Sequence, residues 1–164
     1  MPASTRIVVL GPSGSGKSTV GAALAERLGA EFIDADDLHP AENVAKMRAG
    51  APLDDADRAP WLARVGSALA ARERAVVACS ALKRAYRDAI RRHAPDAAFV
   101  ELAVDAAELD RRMRDRPGHF MPPALLRSQL AAFEPLADDE PGLRVAADEP
   151  VDAIIDTIRS WLTE

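Results

Sequence analysis

The sequence predicts an α/β fold, in which helices cover the two faces of a mostly parallel sheet. Short apolar segments alternate along the chain with segments whose apolar residues recur at helical spacing, which is typical of this layered class. The third of these segments, AVVAC, is apolar throughout, as a strand covered on both faces is. With 164 residues, 48% of them apolar and 29% charged, the chain has the size and composition of a single globular domain over residues 1–164.

The predicted elements follow one another in a regular order. A strand over residues 6–10 ends at a glycine-rich loop, and the next helix runs to Gly29, a residue suited to a left-handed helix end. The other predicted strands cover residues 31–34, 75–79, 98–102 and 143–146. The other predicted helices cover about residues 42–49, 58–72, 82–92, 123–132 and 151–162, with one more around Leu109 and Met113 that ends at Pro117-Gly118.

Charge and cysteine content argue against several classes of function. The chain carries 21 basic and 26 acidic residues, a net charge of −5, so bulk attraction to nucleic acid or to an anionic membrane is not expected. Its apolar runs are much shorter than the roughly 20 residues of a membrane span. The single cysteine, Cys79, cannot form an internal disulfide, which fits a reducing compartment. We therefore expect a cytoplasmic protein without a nucleic-acid or membrane partner.

The first loop carries a phosphate-binding pattern. Residues 11–18, GPSGSGKS, match G-x-x-x-x-G-K-[ST] at every position. Glycines let backbone N–H groups turn toward a phosphate, and the start of the next helix adds its positive dipole end. In this pattern Lys17 reaches the β- and γ-phosphates, and Ser18 offers a hydroxyl ligand to Mg²⁺. The residues predicted to bind a nucleoside triphosphate are Gly11, Pro12, Ser13, Gly14, Ser15, Gly16, Lys17, Ser18 and Thr19.

Two carboxylates, Asp34 and Asp36, stand where the second predicted strand ends. Ligands bind at the carboxyl ends of parallel strands, so we expect both side chains to face the γ-phosphate. One carboxylate can join a Mg²⁺ shell, and another can orient an attacking hydroxyl or accept its proton. The alternative is that this DADD run caps a helix and solvates a loop.

Cations and a hydroxyl follow other strands. Arg58 can grip a carboxylate with its planar guanidinium, or it is a surface residue of a first helical turn. Ser80 either donates a hydrogen bond to a substrate or caps the following helix. Lys83 and Arg87 are four residues apart, which puts both cations on one helical face. Trp61 fits the core better than a ligand site.

An arginine cluster precedes the Pro117-Gly118 break. Arg112 and Arg116 are four residues apart. Arginines that close over a triphosphate stabilise charge on the transferred phosphoryl group and exclude water, although a solvated helix face also carries such charges. We predict a mobile lid over about residues 111–123, in which Arg112 binds the nucleotide and Arg116 is catalytic.

Four segments together resemble the bacterial-type gluconokinases, small P-loop kinases related to shikimate kinase. They are GPSGSGKSTVGAALA, FIDADDLHPAENVAKMRAGAPLDDADRAPWL, CSALKRAYRDAIR and RPGHFMPPALLRSQL, spread from Val8 to about Pro135. The resemblance implies a three-layer α/β/α P-loop kinase fold with a five-stranded parallel sheet and a mobile lid. It also implies transfer of the γ-phosphoryl group of ATP to the 6-hydroxyl of D-gluconate, and a homodimer.

The resemblance also assigns roles to individual residues. By analogy with shikimate kinases, Asp34 serves the Mg²⁺ shell, Asp36 the acceptor hydroxyl and Arg58 the acceptor carboxylate. Three further residues match family motif positions near the acceptor: His39, Lys46 and Lys83. With Ser80 and Arg87, these residues form the predicted gluconate site, and Lys17 and Asp36 lead the catalytic set.

Two other functions stay open. A shikimate or nucleotide kinase is the nearer one, although a nucleotide acceptor favours a slot for its base, and the DLHP and CSALK segments offer none. An ATP-dependent regulatory switch is the other. Such a switch uses an acidic residue at a strand end near the γ-phosphate, which the AVVACS segment lacks.

Overall fold

Five parallel strands form one sheet in the order β2-β3-β1-β4-β5. The structure is a computed structural model, and it describes residues 5–114 and 123–164. The strands are β1 (Arg6–Leu10), β2 (Glu31–Asp34), β3 (Ala75–Cys79), β4 (Ala98–Ala103) and β5 (Gly142–Ala146). The predicted five-stranded parallel sheet is confirmed.

Helices connect the strands and agree with the predicted order. They are α1 (Lys17–Leu28), α2 (Ala41–Arg48), α3 (Asp55–Ala70), α4 (Arg84–His93), α5 (Ala106–Arg114), α6 (Pro123–Ala132) and α7 (Val151–Leu162). A short 3₁₀ helix over Ala35–Leu38 follows β2. None of the helices in the described ranges combines the length and apolar character needed to cross a bilayer.

The sheet is covered on both faces, because alternate residues of a strand point to opposite sides. Ile7 and Val9 of β1 join the core beneath α1 and α7. Val8 and Leu10 join the core beneath α3 and α4. All four side chains are buried. The predicted three-layer α/β/α arrangement is therefore confirmed.

The start of α3 differs from the prediction, which placed it at Arg58. Asp54 and Asp57 form a capping box: the Asp57 N–H donates to Asp54 Oδ1 at 2.7 Å, and the Asp54 N–H donates to Asp57 Oδ2 at 3.0 Å. This reciprocal pair satisfies two backbone donors and begins the helix at Asp55. Pro60 consequently lies within the helix instead of in its first turn.

The sheet order places the phosphate loop at its topological switch point. β1 lies between β3 and β4; the connection after β1 leads to β2 on one side of the sheet, whereas the connection after β4 leads to β5 on the other. In open α/β sheets, ligands bind in the crevice at such a point. The loop after β1 and the residues after β2 and β3 therefore surround the same crevice.

Candidate active site

The loop between β1 and α1 has the backbone of a phosphate cradle. Gly14 and Gly16 have φ angles of 84° and 89°, in the left-handed region that L residues rarely adopt. At Gly11, a Cβ would lie 2.6 Å from Ser15 Oγ. Ser15 is buried, and its hydroxyl has no hydrogen-bond partner within the described part of the chain. Glycine is therefore required here for shape, as the motif predicts.

The start of α1 supplies the groups that a phosphate needs. The helix begins at Lys17, and no described side chain caps it at Gly16. Its first N–H groups and its dipole are therefore oriented toward any anion held in the loop. Ser18 and Thr19 are exposed on the first turn, where their hydroxyls are open to a ligand or an ion.

Arg112 of α5 forms hydrogen bonds with the backbone of the phosphate loop. Its Nη1 donates to the backbone oxygens of Gly14 and Ser15, each at 3.3 Å, and its Nη2 donates to Ala147 O at 3.0 Å. Its Nε donates to Glu108 Oε1 at 3.0 Å. The charge of Arg112 therefore lies beside the phosphate loop. These N–H groups already donate to protein oxygens. Direct contact of Arg112 with a nucleotide stays a prediction.

A cavity of about 220 Å³ adjoins the phosphate loop. Its lining comes from the phosphate loop, from the segment between β2 and α3, from α3, from the end of β3 and from α6. The lining residues are Ser13, Lys17, Asp36, His39, Met47, Ala51, Pro52, Leu53, Arg58, Trp61, Ser80, Ser128 and Gln129. The structure thus brings five predicted site residues to one cavity beside Ser13: Lys17, Asp36, His39, Arg58 and Ser80.

Asp34 and Asp36 occupy different positions after β2. Asp34 is the N-cap of the 3₁₀ helix, and its Oδ1 accepts a hydrogen bond from the Asp36 N–H at 3.0 Å. That bond orients the next turn so that Asp36 lines the cavity. Asp36 reaches solvent through the open cleft, yet the protein around it raises its pKa, since desolvation outweighs the opposing charge of Lys17.

Arg58 is held at the cavity by two acceptors. Its Nη1 donates to Leu53 O at 2.7 Å and to the Tyr86 hydroxyl at 3.1 Å. Tyr86 in turn donates to Asp55 Oδ1 at 2.5 Å, and Lys83 Nζ lies 3.5 Å from the same oxygen. Lys83 lies with Tyr86 along a neighbouring open depression and not in the cavity lining. Lys83 therefore supports Arg58 indirectly, through Asp55 and Tyr86. Direct contact of Lys83 with a substrate stays a prediction.

Lys46, like Lys83, forms an ion pair with a carboxylate of the protein. Its Nζ donates to Asp57 Oδ2 at 2.8 Å, which ties α2 to the start of α3. This hydrogen bond raises the pKa of Lys46 and lowers the pKa of Asp57. The side chain is not among those that line the cavity, so contact with gluconate stays a prediction.

The structure contradicts the prediction that Arg87 binds substrate. Its side chain is fully buried, and its Nε and Nη2 donate to the two carboxylate oxygens of Glu140 at 2.7 and 3.0 Å. Its Nη1 donates to Ala81 O at 3.1 Å and to Glu134 O at 3.0 Å. The prediction that Lys83 and Arg87 share one helical face is also wrong, because Lys83 precedes α4 as its N-cap.

The turn that Arg87 holds places Ser80 at the cavity. Ala81 has a φ of 25°, an unusual value for a residue with a Cβ, and its carbonyl accepts from Arg87. Because α4 begins at Arg84 with Lys83 as N-cap, Ser80 does not cap that helix. Cys79 before it is buried, and burial raises the pKa of its thiol to about 12. It is therefore a packing residue.

Sequence reasoning missed three residues near the cavity. Gln129 Oε1 accepts a hydrogen bond from the Ser13 N–H at 3.0 Å. Tyr86 positions Arg58, and the buried Asn43 contacts His39. All three belong to segments that resemble the family, yet no charge or spacing signals them. The predicted catalytic residue Arg116 lies outside the described residues, as do residues 115–122 of the predicted lid.

This chain is similar in sequence and in structure to known proteins over most of its length. A family model described as an AAA domain matches residues 7–136. A gluconokinase of Gluconobacter oxydans is 46% identical over 156 residues, which cover 93% of this chain and 88% of that protein. The crystal structure of a gluconokinase from Sinorhizobium meliloti is 48% identical, with a TM-score of 0.89 and coverage of 96% of this chain and 91% of that one.

A shikimate kinase structure from Aquifex aeolicus has the same fold at greater distance. It is 17% identical, with a TM-score of 0.62, and the match covers 96% of each chain. At this identity the likeness concerns the fold alone. It places the chain's architecture among small P-loop kinases.

Proposed function

The chain belongs to the gluconokinase family, and from this premise we propose that it transfers the γ-phosphoryl group of ATP to the 6-hydroxyl of D-gluconate, giving 6-phospho-D-gluconate. The observation that carries the proposal is the shared cavity, in which Lys17 of the phosphate loop meets Asp36 and Arg58. Phosphoryl transfer depends on positioning and on charge stabilisation, and these residues supply both.

The donor end of the reaction uses the phosphate loop. Backbone N–H groups of residues 13–19 hold the phosphates, and Lys17 neutralises charge that spreads over the transferred group. Arg112 keeps the loop in shape through the carbonyls of Gly14 and Ser15. We also propose that Arg116 acts within a lid over residues 111–123.

The two ends of gluconate, a carboxylate and a hydroxyl, suit two different side chains of the cavity. Its carboxylate suits the guanidinium of Arg58, which can donate two parallel hydrogen bonds. Its 6-hydroxyl, at the other end of the molecule, suits the carboxylate of Asp36, which orients it or accepts its proton. Ser80 and His39 line the space between and can bond the intervening hydroxyls. Lys46, Lys83 and Asp57 hold this side of the cavity together.

We propose Mg²⁺ as the metal of the reaction, held by Ser18 and Asp34. Both offer hard oxygen donors, which Mg²⁺ prefers. Asp34 uses Oδ1 to accept one backbone N–H, and a carboxylate keeps further acceptor capacity beyond one such bond. The ion supplies charge neutralisation at the β- and γ-phosphates when bound.

The assignment to gluconate is tested by ATP consumption with purified protein. We expect turnover that depends on D-gluconate and stays at the background rate with shikimate or with AMP. Equal turnover with shikimate would favour a shikimate kinase. Hydrolysis that is independent of every small acceptor would favour the regulatory switch.

We further propose a cytoplasmic homodimer that acts without a nucleic-acid or membrane partner. The supports are the net charge of −5, the buried free thiol of Cys79 and the resemblance to the family. Sedimentation of the purified protein over a range of concentrations distinguishes dimer from monomer.

A further inference from the structure

The buried side chain of Asn43 links His39 to the start of α3. Asn43 is 2% exposed, and its Nδ2 lies 2.8 Å from the backbone oxygen of Asp57 and 3.1 Å from His39 Nδ1. A backbone carbonyl can only accept a hydrogen bond, so the Asp57 oxygen determines which end of the Asn43 amide faces it. The NH₂ group is consequently the end that also faces His39.

The orientation of Asn43 determines the tautomer of His39. An NH₂ group can only donate, so His39 Nδ1 must be the acceptor and carries no proton. The proton of a neutral imidazole then resides on Nε2. Burial, together with the positive charge of Arg58, lowers the pKa of His39 to about 4, which agrees with a neutral ring that accepts at Nδ1.

A second contact fixes the plane of the ring. His39 stacks on Trp61, with ring centroids 4.2 Å apart and an interplanar angle of 12°. Trp61 is itself fixed, since it is buried and its Nε1 donates to Ala35 O at 2.7 Å. Plane and tautomer of the His39 ring are thus set by two independent neighbours, and the ring lines the cavity.

We propose that Asn43 is a positioning residue that holds His39 as the neutral Nε2–H tautomer, so that His39 presents one fixed, uncharged hydrogen-bond donor to a hydroxyl oxygen of the acceptor. The inference rests on the proposed function, and it deepens it. Arg58 selects a carboxylate through charge, whereas His39 selects a polyol through a donor that carries no charge. An acceptor with a carboxylate but no hydroxyl oxygen opposite His39 lacks a partner for that donor and should bind more weakly than a polyol acid does.

The tautomer is measured directly, without substrate, in protein labelled with ¹⁵N in its histidine rings. The chain has three histidines, and the His39→Gln variant identifies the His39 signals by their loss. We expect correlations in which Nε2 bears the proton and Nδ1 is unprotonated at neutral pH. A ring with its proton on Nδ1, or one that averages between tautomers, overturns the inference.

A matched pair of variants tests the role in specificity. The amide nitrogen of Gln can take the place of Nε2, whereas the shorter Asn reaches only the position of Nδ1. Because one net hydrogen bond corresponds to roughly a tenfold change in affinity at most, we expect KM for gluconate to rise about tenfold in His39→Asn and less than about threefold in His39→Gln. KM for ATP should stay constant in both. Equal effects of the two variants contradict the inference.

Asn43→Asp tests the positioning residue itself. The carboxylate cannot donate to Nδ1 or to the Asp57 oxygen, so we expect the His39 proton to move to Nδ1 or the ring to become charged, with a higher KM for gluconate. If this buried change prevents folding, Asn43→Leu, which removes the donor without adding a charge, takes its place, and we expect the His39 ring to average between its tautomers. An unchanged His39 spectrum in a folded variant overturns the role of Asn43.

The role of Asn43 and the phosphorylation of gluconate can each fail without the other. If gluconate is phosphorylated but both His39 variants behave as wild type, the inference fails and the proposed function stands. If gluconate is not phosphorylated, the proposed function fails, and the ring spectra still decide whether Asn43 sets the tautomer.

Discussion

The side-chain oxygen of Gln129 accepts a hydrogen bond from the backbone N–H of Ser13 at 3.0 Å. Gln129 belongs to α6, which follows the predicted lid segment, and Ser13 belongs to the phosphate loop. Both residues line the cavity. A neutral carboxamide oxygen therefore occupies a backbone donor that the motif assigns to phosphate, and nucleotide binding must compete with it.

The charge of the group at position 129 should control this competition. In Gln129→Glu a carboxylate would accept the Ser13 N–H more strongly and would repel the γ-phosphate, so we expect KM for ATP to rise about tenfold, since charged hydrogen bonds exceed neutral ones by on the order of 1 kcal/mol. Gln129→Met, which removes the acceptor without adding charge, is the matched control and should not raise KM for ATP. Steady-state kinetics in both substrates decide this, and a comparable rise in the two variants would refute the competition.

Asp36→Asn should lower kcat by about 10²-fold or more, because an amide can neither accept the hydroxyl proton nor hold the hydroxyl as a charged acceptor. Burial raises the pKa of Asp36, and the ionised form is the active one. Wild-type kcat should therefore fall as the pH drops through this raised pKa, and the residual activity of the variant should lack that dependence. A rise in KM for gluconate at unchanged kcat would instead assign Asp36 to binding alone.

The phosphate loop and Asp36 could be predicted from the sequence, because each is indicated by residues that are neighbours along the chain. The phosphate loop lies within eight consecutive residues, and Asp36 follows a recognisable strand end. Gln129 shows the limit of such reasoning. Its partner Ser13 is 116 positions away, and neither residue carries a charge that would indicate the contact.

Tyr86→Phe tests how Arg58 is held. The hydroxyl of Tyr86 accepts from Arg58 and donates to Asp55, and its loss should let the guanidinium move from the carboxylate site. We expect KM for gluconate to rise about three- to tenfold, with little change in kcat or in KM for ATP, on the scale of one lost hydrogen bond. Arg58→Lys, which loses the planar fork altogether, should have the larger effect in the same assay. If Tyr86→Phe lowers kcat and leaves KM for gluconate unchanged, Tyr86 does not act through Arg58.

Arg87 should affect stability and not substrate affinity. In Arg87→Met the buried carboxylate of Glu140 loses its partner, which should lower the free energy of unfolding by about 3–5 kcal/mol. Adding Glu140→Gln should recover part of this loss, since it removes the uncompensated charge. Urea unfolding gives the stabilities, and KM for gluconate of the folded protein should stay near the wild-type value. A large rise in that KM at unchanged stability would restore Arg87 to the substrate site.

Arg87 also shows why helical spacing alone did not identify its role. Spacing predicts which residues share a face, but packing decides whether that face meets solvent or the core. Here α4 packs on α3, and the acidic partner Glu140 is 53 positions away. The early start of α3 has a local cause instead, since the capping box of Asp54 and Asp57 begins the helix three residues before Arg58. Local patterns thus place an element and its ends, while distant partners decide which of its faces is exposed.

Lys17 and Asp36 line a single cavity, where we expect them to hold ATP and gluconate so that the phosphoryl group passes directly from one bound substrate to the other. The most direct measurement follows ATP labelled in its γ-phosphoryl group, with Mg²⁺ and D-gluconate, in the wild type and in Lys17→Ala. The account predicts that the wild type moves the label onto the 6-hydroxyl of gluconate and that folded Lys17→Ala does not. Label released only as inorganic phosphate by the wild type, or transfer at a normal rate in the variant, would contradict it.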